Sequence, residues 1–359
     1  VYHPSAKNTT NGTNPSILSV FGIKYDQVQL ILRRGIMLFS PHHISLLTGN
    51  ASVNAQFYIQ VLGLRLVKNS VNQEAIHIRH LYYGNNLGEP GSVITFFVLD
   101  RLGQRQEANH GLTGIRIGIP RNTTSYWQKR LETANFHPQL IASGLIVTDP
   151  DGVLLTFVEV DRQLTDRQHV PNDVPVENQI VGLLGTNIDY VNYSETVTFY
   201  HDWLGLNDFN HQIPLPSSGA TITLTSAPDS NHRSRMGRGS VDHIALQVPD
   251  QSTLFHYYRR AQSLGLDIEL YRDRGWFQSI YVRDPSDNRI ELATTAPGFA
   301  LEEPASTMGQ QLSLPPLFAD QTDTVRRWYD KHNVKFDEAE RFENEATLNQ
   351  SKLLTSDLR

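Results

Sequence analysis

The chain repeats itself, and that repeat limits the folds open to it more than any other feature. Phe57-Tyr58 followed by Leu62-Gly63-Leu64 returns as Phe199-Tyr200 followed by Leu204-Gly205-Leu206, 142 positions later (199 minus 57). In both copies apolar residues at helical spacing precede a glycine placed to cap the helix end. A second pair, Val147-Thr148-Asp149-Pro150 and Val282-Arg283-Asp284-Pro285, is offset by 135 (285 minus 150). Each of these copies is a strand ending in an Asp-Pro turn, before a last apolar strand at Val153 to Val160 or Arg289 to Thr295.

Because the two offsets are close, the chain reads as two homologous halves, each of two smaller units. The order within a unit is strand, helix, then two or three strands. The first unit is predicted to have a strand over His42–Leu47, a helix over Ser52–Leu62 and strands over Leu64–Val71, Ile76–Tyr83 and Val93–Leu99. In the fourth, a strand over Val241–Val248 and a helix over Thr253–Leu264 precede strands over Asp267–Tyr271, Gln278–Val282 and Ile290–Thr294. The third looks a strand short around Pro214–Gly219. A βαβββ unit cannot bury the face of its open sheet alone, so units should pair. The expected fold is α+β, with four βαβββ modules paired into two domains: modules 1 and 2 over 37–165, modules 3 and 4 over 166–300. A chain of 359 residues is long enough for both.

The flanks read differently. Residues 1–36 are rich in Asn, Thr and Ser without a period and are expected to be a disordered leader. Arg33-Arg34-Gly35-Ile36-Met37 raises Met37 as the natural start, since two Arg codons before a Met can spell a purine-rich ribosome-binding site. After Ala300 a Pro- and Leu-rich stretch leads to a helix expected over Asp323–His332, and the chain beyond Lys335 reads as charged and frayed.

Charge and cysteine content remove several function classes. With 31 basic and 37 acidic residues the net charge is −6, which suits neither nucleic acid nor an anionic membrane. No apolar run is long enough to span a bilayer, and the N-terminus lacks the order of a signal peptide. There are no cysteines, so disulfides, thiolate metal sites and cysteine nucleophiles are excluded. This fits a cytoplasmic protein, and a homo-oligomer is compatible with it. Any metal must be held by His, Asp or Glu. Phosphate-binding glycine loops and nucleophile elbows do not occur.

Three residues stand out for a metal. His43 and His243 open the first strands of units one and four, and Glu291 lies between Ile290 and Leu292 on the last strand. A carboxylate there is costly in a core unless a cation or hydrogen bonds offset it, although strand alternation alone could turn Glu291 to solvent. The repeats discriminate. His43 moved by 142 lands on Gly185; Glu291 moved by 135 lands on Thr156; His243 moved by 129, from aligning Pro249 with Pro120, lands on Gly114. The scaffold therefore does not itself require ligand residues at these places. Two His and one carboxylate leave open positions on an octahedral ion, the pattern of non-haem Fe(II) oxygenases.

Several passages carry a resemblance: His42-His43-Ile44-Ser45, Phe57 to Val67, His80 to Gly84, Gly91 to Phe97, Asp273 to Tyr281, and Arg283-Asp284-Pro285 through Ala293. On these, over roughly residues 37–317, the chain resembles the ring-cleaving hydroquinone-type dioxygenases of the vicinal-oxygen-chelate superfamily. The resemblance implies the ligands His43, His243 and Glu291, Fe(II) with Mn(II) as the alternative, and an aromatic diol and O2 as substrates. It also implies supporting roles for His42, Ser45, Arg274 and Tyr281, with His42 and Tyr281 handling protons and Arg274 as electrostatic support. By strand geometry alone His42 should face away from the site unless the strand is bulged, Tyr281 can be a cross-strand aromatic, and Arg274 a surface charge. One position departs from the family, which usually has a second His where this chain has Asp242: the change removes a neutral hydrogen-bonding base and either adds negative charge near the metal or, as strand alternation beside a ligand suggests, leaves Asp242 facing solvent. The other histidines, His80 among them, are expected to be structural or solvated. Two rivals stand beside the dioxygenase: a redox-neutral lyase or isomerase on the same scaffold, which usually needs a fourth ligand that Thr95-Phe96-Phe97 does not offer, and a metal-free binder of planar molecules.

Overall fold

The computed structural model describes residues 39–334. The leader, the start at Met37 and the frayed end of the tail lie outside the described residues. The first unit runs β1 (Pro41–Thr48), α1 (Ala51–Ala55, continuing as a π-helical turn over Gln56–Val61), β2 (Arg65–Val71), β3 (Arg79–Gly84) and β4 (Val93–Val98). The second runs β5 (Gly111–Pro120), α2 (Thr124–Thr133), β6 (Gln139–Ile141), β7 (Gly144–Thr148) and β8 (Leu154–Val160). In the third, β9 (Gly182–Tyr190) and α3 (Tyr193–Phe199, continuing as a π-helical turn over Tyr200–Leu204) are followed by β10 (Gln212–Leu215) and β11 (Ala220–Ser226) only. The fourth is β12 (Val241–Val248), α4 (Gln251–Ser263), β13 (Asp267–Asp273), β14 (Gln278–Arg283) and β15 (Arg289–Thr294). A helix α5 (Thr322–Lys331) ends the described chain. No helix among the described residues is long and apolar enough to cross a membrane.

The repeat extends to local detail. Asn50 and Asn192 cap α1 and α3, their side chains accepting from the N–H of Val53 and Glu195 at 3.0 and 3.3 Å. Both helices widen into a π-turn and close on a left-handed glycine, Gly63 at φ +69° and Gly205 at φ +71°. The apolar faces go inward: Phe57 and Tyr58 in one copy, Phe199, Tyr200 and Trp203 in the other, are almost fully buried. Each such side chain stabilises the fold by about 1.5–3 kcal/mol.

Pairing between units departs from chain order. β1 pairs antiparallel with β12, so the first unit joins the fourth in a continuous run β2-β3-β4-β1-β12-β15-β14-β13. β5 pairs antiparallel with β9, joining second to third as β6-β7-β8-β5-β9-β11-β10. As a ladder the two runs are joined at a single residue pair, Val241 with Leu112. Sheet seams thus join outer with outer and inner with inner, where the expected partition placed modules 1 and 2 together. Units one and two do meet, but through helices: the Arg130 guanidinium of α2 donates to the carbonyls of Gln60 and Val61 (2.6 and 2.7 Å) at the end of the first helix.

The segment after β15 straps across the outer sheet. Lys68 of β2 is fully buried, and its ammonium donates to Glu302 at 2.5 Å, to Glu303, and to Ser313 at 3.3 Å. Trp276 Nε1–H donates to the other Glu302 oxygen at 2.8 Å. A buried ammonium needs such partners, and here they tie the strap to the loop that carries Trp276 and Phe277.

Candidate metal centre

The register of β1 and β12 aligns Ile44 with Ile244, His43 with Ala245 and Ser45 with His243. Paired residues share a face and neighbours alternate, so Ile44 and Ile244 enter the helix-covered core while His43, Ser45, His243 and Ala245 share the concave face. β15 lies parallel beside β12 with Glu291 opposite Ala245. Alternation sends Ile290 and Leu292 into the core, and Glu291, with no exposed surface, under the two histidines. A local two-fold axis at Ile44 and Ile244 exchanges His43 with His243. It exchanges Glu291 with Thr95, which pairs with Ser45.

Three atoms converge. His43 Nε2 and His243 Nε2 are 3.2 Å apart, and Glu291 Oε2 is 3.2 Å from the first and 2.8 Å from the second. Glu291 Oε2 is buried without a hydrogen-bond partner. Cis ligands about 2.1 Å from an octahedral ion stand about 3.0 Å apart, against about 3.4 Å on a tetrahedral one. Among the described residues this is the one His/Asp/Glu group so arranged.

The other polar atom of each of these three side chains is pinned. His42 Nε2 faces the Thr294 carbonyl at 3.2 Å, so it carries a proton, and its Nδ1 then accepts from His43 Nδ1–H at 2.9 Å. That leaves the His43 Nε2 lone pair toward the cavity. Burial, then the neighbouring His43 imidazole, pushes the His42 pKa down to about 3, so His42 stays neutral. It can face its neighbour because the strand is bulged between Pro41 and His43. His243 Nδ1–H donates to Asp242 Oδ2 at 2.6 Å, and Arg289 Nη1 donates to the same oxygen at 2.6 Å. Asp242 therefore turns in to His243 instead of out to solvent; burial would raise its pKa, but its bonds to His243 and Arg289 and the Arg289 charge hold it below the ordinary range. Glu291 Oε1 accepts from Ser279 Oγ–H, which frees Oε2. Burial would raise the Glu291 pKa as well; its interactions with the His43 and His243 imidazoles outweigh it and hold the pKa well below the ordinary carboxylate value. Two imidazole nitrogens and one carboxylate, each oriented from behind, fit a divalent cation.

The site opens on a cavity of about 300 Å³ whose lining includes Ser45, His80, Tyr82, Arg274, Phe277 and Tyr281. Tyr281 sits opposite Glu291 in the β14–β15 register, with the Arg274 guanidinium 5.3 Å from its ring centre. Burial, then the Glu291 charge, raises its pKa, so it keeps its proton. Phe277 packs its ring 5.1 Å from that of His42 and 5.4 Å from that of His43. His42 supports His43 and does not line the cavity, both of its nitrogens being engaged. His80, read from the sequence as structural or solvated, does line it. Only its place two residues from Tyr82 on one strand hinted at this, and the hint needs the strand's facing to be used. A larger open cleft of about 810 Å³ between Phe57, Tyr126, Arg130 and Phe136 holds no converging ligand set.

The inner seam repeats the register with other residues. Arg116 stands opposite Gly185 and Thr156, as Ala245 stands opposite His43 and Glu291. Its guanidinium donates to Asn187 Oδ1 at 2.7 Å, to Thr223 Oγ1 at 2.9 Å and to the Thr221 carbonyl. Burial lowers its pKa to about 10, so it remains a cation.

Comparison with known proteins places the chain among named relatives. Residues 188–292 match a family model described as the glyoxalase/bleomycin resistance protein/dioxygenase superfamily. The chain is 33% identical over 286 residues to the candidate ring-cleaving dioxygenase MhqO of Bacillus subtilis (strain 168), covering 76% of this chain and 90% of that protein. It is 29% identical over 306 residues to the chlorohydroquinone/hydroquinone 1,2-dioxygenase of Sphingobium indicum, covering 80% of this chain and 94% of that protein. A crystal structure of a candidate dioxygenase from Bacillus subtilis subsp. subtilis str. 168 superposes with a TM-score of 0.72 at 29% identity, covering 80% of this chain and 95% of that one.

Proposed function

Since the chain belongs to the glyoxalase/bleomycin resistance protein/dioxygenase superfamily, among relatives named as ring-cleaving dioxygenases, we propose that it is an Fe(II)-dependent ring-cleaving dioxygenase of the extradiol type. Its substrate is a hydroquinone or related aromatic diol, and both atoms of O2 enter the product. The observation that carries this reading is the buried, unpartnered Glu291 Oε2 beside two imidazole nitrogens whose other nitrogens are already committed.

His43, His243 and Glu291 would hold the ion as a facial triad with the remaining positions open to the cavity. Held there, the metal would supply Lewis acidity that lowers the pKa of a substrate hydroxyl and a common template for the diol and dioxygen. The protein supplies orientation and proton control. His42 and Asp242 keep the ligand nitrogens unprotonated toward the cavity. Tyr281, protonated at its hydroxyl and steadied by Arg274, donates to a substrate oxygen as charge develops there. Phe277 and Leu270 wall the pocket against water. The arrangement favours the oxygenase over a lyase, because the place related to Glu291 by the local two-fold holds Thr95, whose hydroxyl is already shared with Ser45 at 2.7 Å and His80 at 2.8 Å.

The test is oxygen uptake by protein loaded anaerobically with Fe(II), given methylhydroquinone, catechol or no diol, beside Glu291→Ala. Uptake with a ring-opened product, lost in the variant, is the expected result. Stoichiometric iron without diol-dependent uptake would replace the oxygenase by a lyase, and failure to bind iron would leave a metal-free binder.

A further inference from the structure

Four side chains beside the metal centre form one unbroken hydrogen-bonded chain. Ser45 Oγ lies 2.7 Å from Thr95 Oγ1, Thr95 Oγ1 lies 2.8 Å from His80 Nε2, and His80 Nδ1 lies 2.8 Å from the Tyr82 hydroxyl. Ser45, His80 and Tyr82 line the cavity, whereas Thr95 is fully buried behind them. Ser45 stands next to His243 in the β1–β12 register, and Tyr82 pairs with Thr95 across β3 and β4. With strands about 4.8 Å apart, Tyr82 is two strands, about 10 Å of backbone, from Ser45 on the side away from His243. Both ends of the chain therefore open on one cavity, one beside the metal centre and one remote from it.

The chain has only two self-consistent senses, because His80 is clamped between the rings of Tyr82 and Phe97 (centroids 4.1 and 4.0 Å) and stays neutral, burial holding its pKa well below the ordinary value. A neutral imidazole donates from one nitrogen and accepts at the other. If Tyr82 O–H donates to Nδ1, then Nε2–H donates to Thr95, Thr95 donates to Ser45, and the Ser45 proton is left to point into the cavity. If Ser45 donates to Thr95 instead, every bond reverses and the Tyr82 proton points into the cavity. A donor at one end thus obliges the other end to accept.

We propose that Ser45-Thr95-His80-Tyr82 is a two-sense hydrogen-bond relay that selects aromatic substrates carrying one accepting oxygen and one donating hydroxyl at opposite ends of the ring. This inference rests on the diol reading above and specifies how the diol is read. A diol ionised at the metal accepts from Ser45 and, with its far hydroxyl intact, donates to Tyr82. A ring whose two oxygens can both only accept leaves one end of the relay unsatisfied in either sense. Thr95 is a positioning residue here: it touches no substrate and couples the two ends that do.

Equilibrium titration of the Fe(II)-loaded full chain without oxygen tests this, comparing hydroquinone with 4-methoxyphenol, whose ether oxygen cannot donate. The wild-type protein is expected to favour hydroquinone about ten-fold, the worth of one hydrogen bond. Thr95→Val unlinks the ends, so Ser45 and Tyr82 can donate independently and the preference should fall to about two-fold or less. Tyr82→Phe, which removes a single oxygen, should erase it too and carries the test should Thr95→Val not fold. Dividing the variant's ratio of affinities by that of the wild-type protein cancels the bulk of the methyl group, and a merely structural loss would weaken both ligands alike. A preference retained in both variants, or absent from the wild-type protein, overturns the relay. Hydroquinone-dependent oxygen uptake, measured on the same samples, separates the two readings: uptake with an unchanged ratio sinks the relay alone, and no binding with no uptake sinks both.

Discussion

The outer and inner seams solve one problem in opposite ways. Each is an antiparallel pair of first strands flanked by a parallel last strand, and each leaves a polar row on its concave face. In the outer seam the row His43–Ala245–Glu291 has a small residue at its centre and lone pairs converging from either side. In the inner seam the row Gly185–Arg116–Thr156 has small residues at its flanks and a guanidinium in the middle. One seam leaves room for an exchangeable cation, and the other carries its cation covalently. A concave sheet of this kind tolerates a buried positive charge if neighbours accept from it, so changing a few residues switches a site into a strut.

The comparison can be broken most severely at its centre. Ala245→Arg should fill the outer row as Arg116 fills the inner one, and metal content should fall from about one equivalent to none in a protein that still melts cooperatively. A full equivalent of bound metal would show that the rows are not interchangeable. The reverse conversion should fail for a backbone reason. Gly185 has φ +109°, and a Cβ there would meet the Thr221 carbonyl at 2.0 Å. Gly185→His should therefore cost about 3 kcal/mol or more in denaturant unfolding, and a cost under about 1 kcal/mol would mean that the inner seam could have kept a ligand.

A milder change sharpens the outer seam alone. Asp242→Asn keeps a hydrogen-bond acceptor for His243 Nδ1–H but removes the charge, and metal affinity should fall about 10–100-fold by competition with a chelator. An unchanged affinity would make Asp242 a partner of Arg289 only. The smallest effect compares two copies of one turn. Asp149 and Asp284 each accept two backbone N–H bonds in their Asp-Pro turns, and burial raises each to about 6. A carboxyl whose folded pKa lies above its unfolded one contributes stability that is fully present below about pH 4 and lost as pH rises through about 6. Asp284→Asn keeps the turn's acceptor and should flatten that part of the stability–pH curve, by about 1–3 kcal/mol, in urea midpoints taken from pH 4 to 7. A slope as steep as that of the wild-type protein would assign the pH dependence elsewhere.

Much of this was legible in the chain, for identifiable reasons. Element order and the capping glycines follow from local spacing, which the repeats display twice. His43, His243 and Glu291 stood out because their repeat mates are Gly185, Gly114 and Thr156, an asymmetry that needs no coordinates. Seam partners were illegible, since strand order within a pair of units leaves open which first strand meets which. Asp242 and His42 were misjudged or left open by strict alternation: Arg289 draws Asp242 toward His243, and a bulge turns His42 onto His43. His80 was passed over because its partners, Thr95 and Tyr82, come together only through sheet register.

The seam between β1 and β12 also sets a timetable. His43 and His243 are 200 positions apart, whereas Arg116 meets Asn187 and Thr221 across 71 and 105. On a ribosome adding about 5–20 residues per second, the inner seam can close several seconds before β12 and β15 have been made. Until then β1 waits with an unpaired edge, the kind of surface that recruits stray strands. A metal held as proposed by His43, His243 and Glu291 could take no part in those early steps, because two of these three residues have yet to be synthesised; it could only lock the last one.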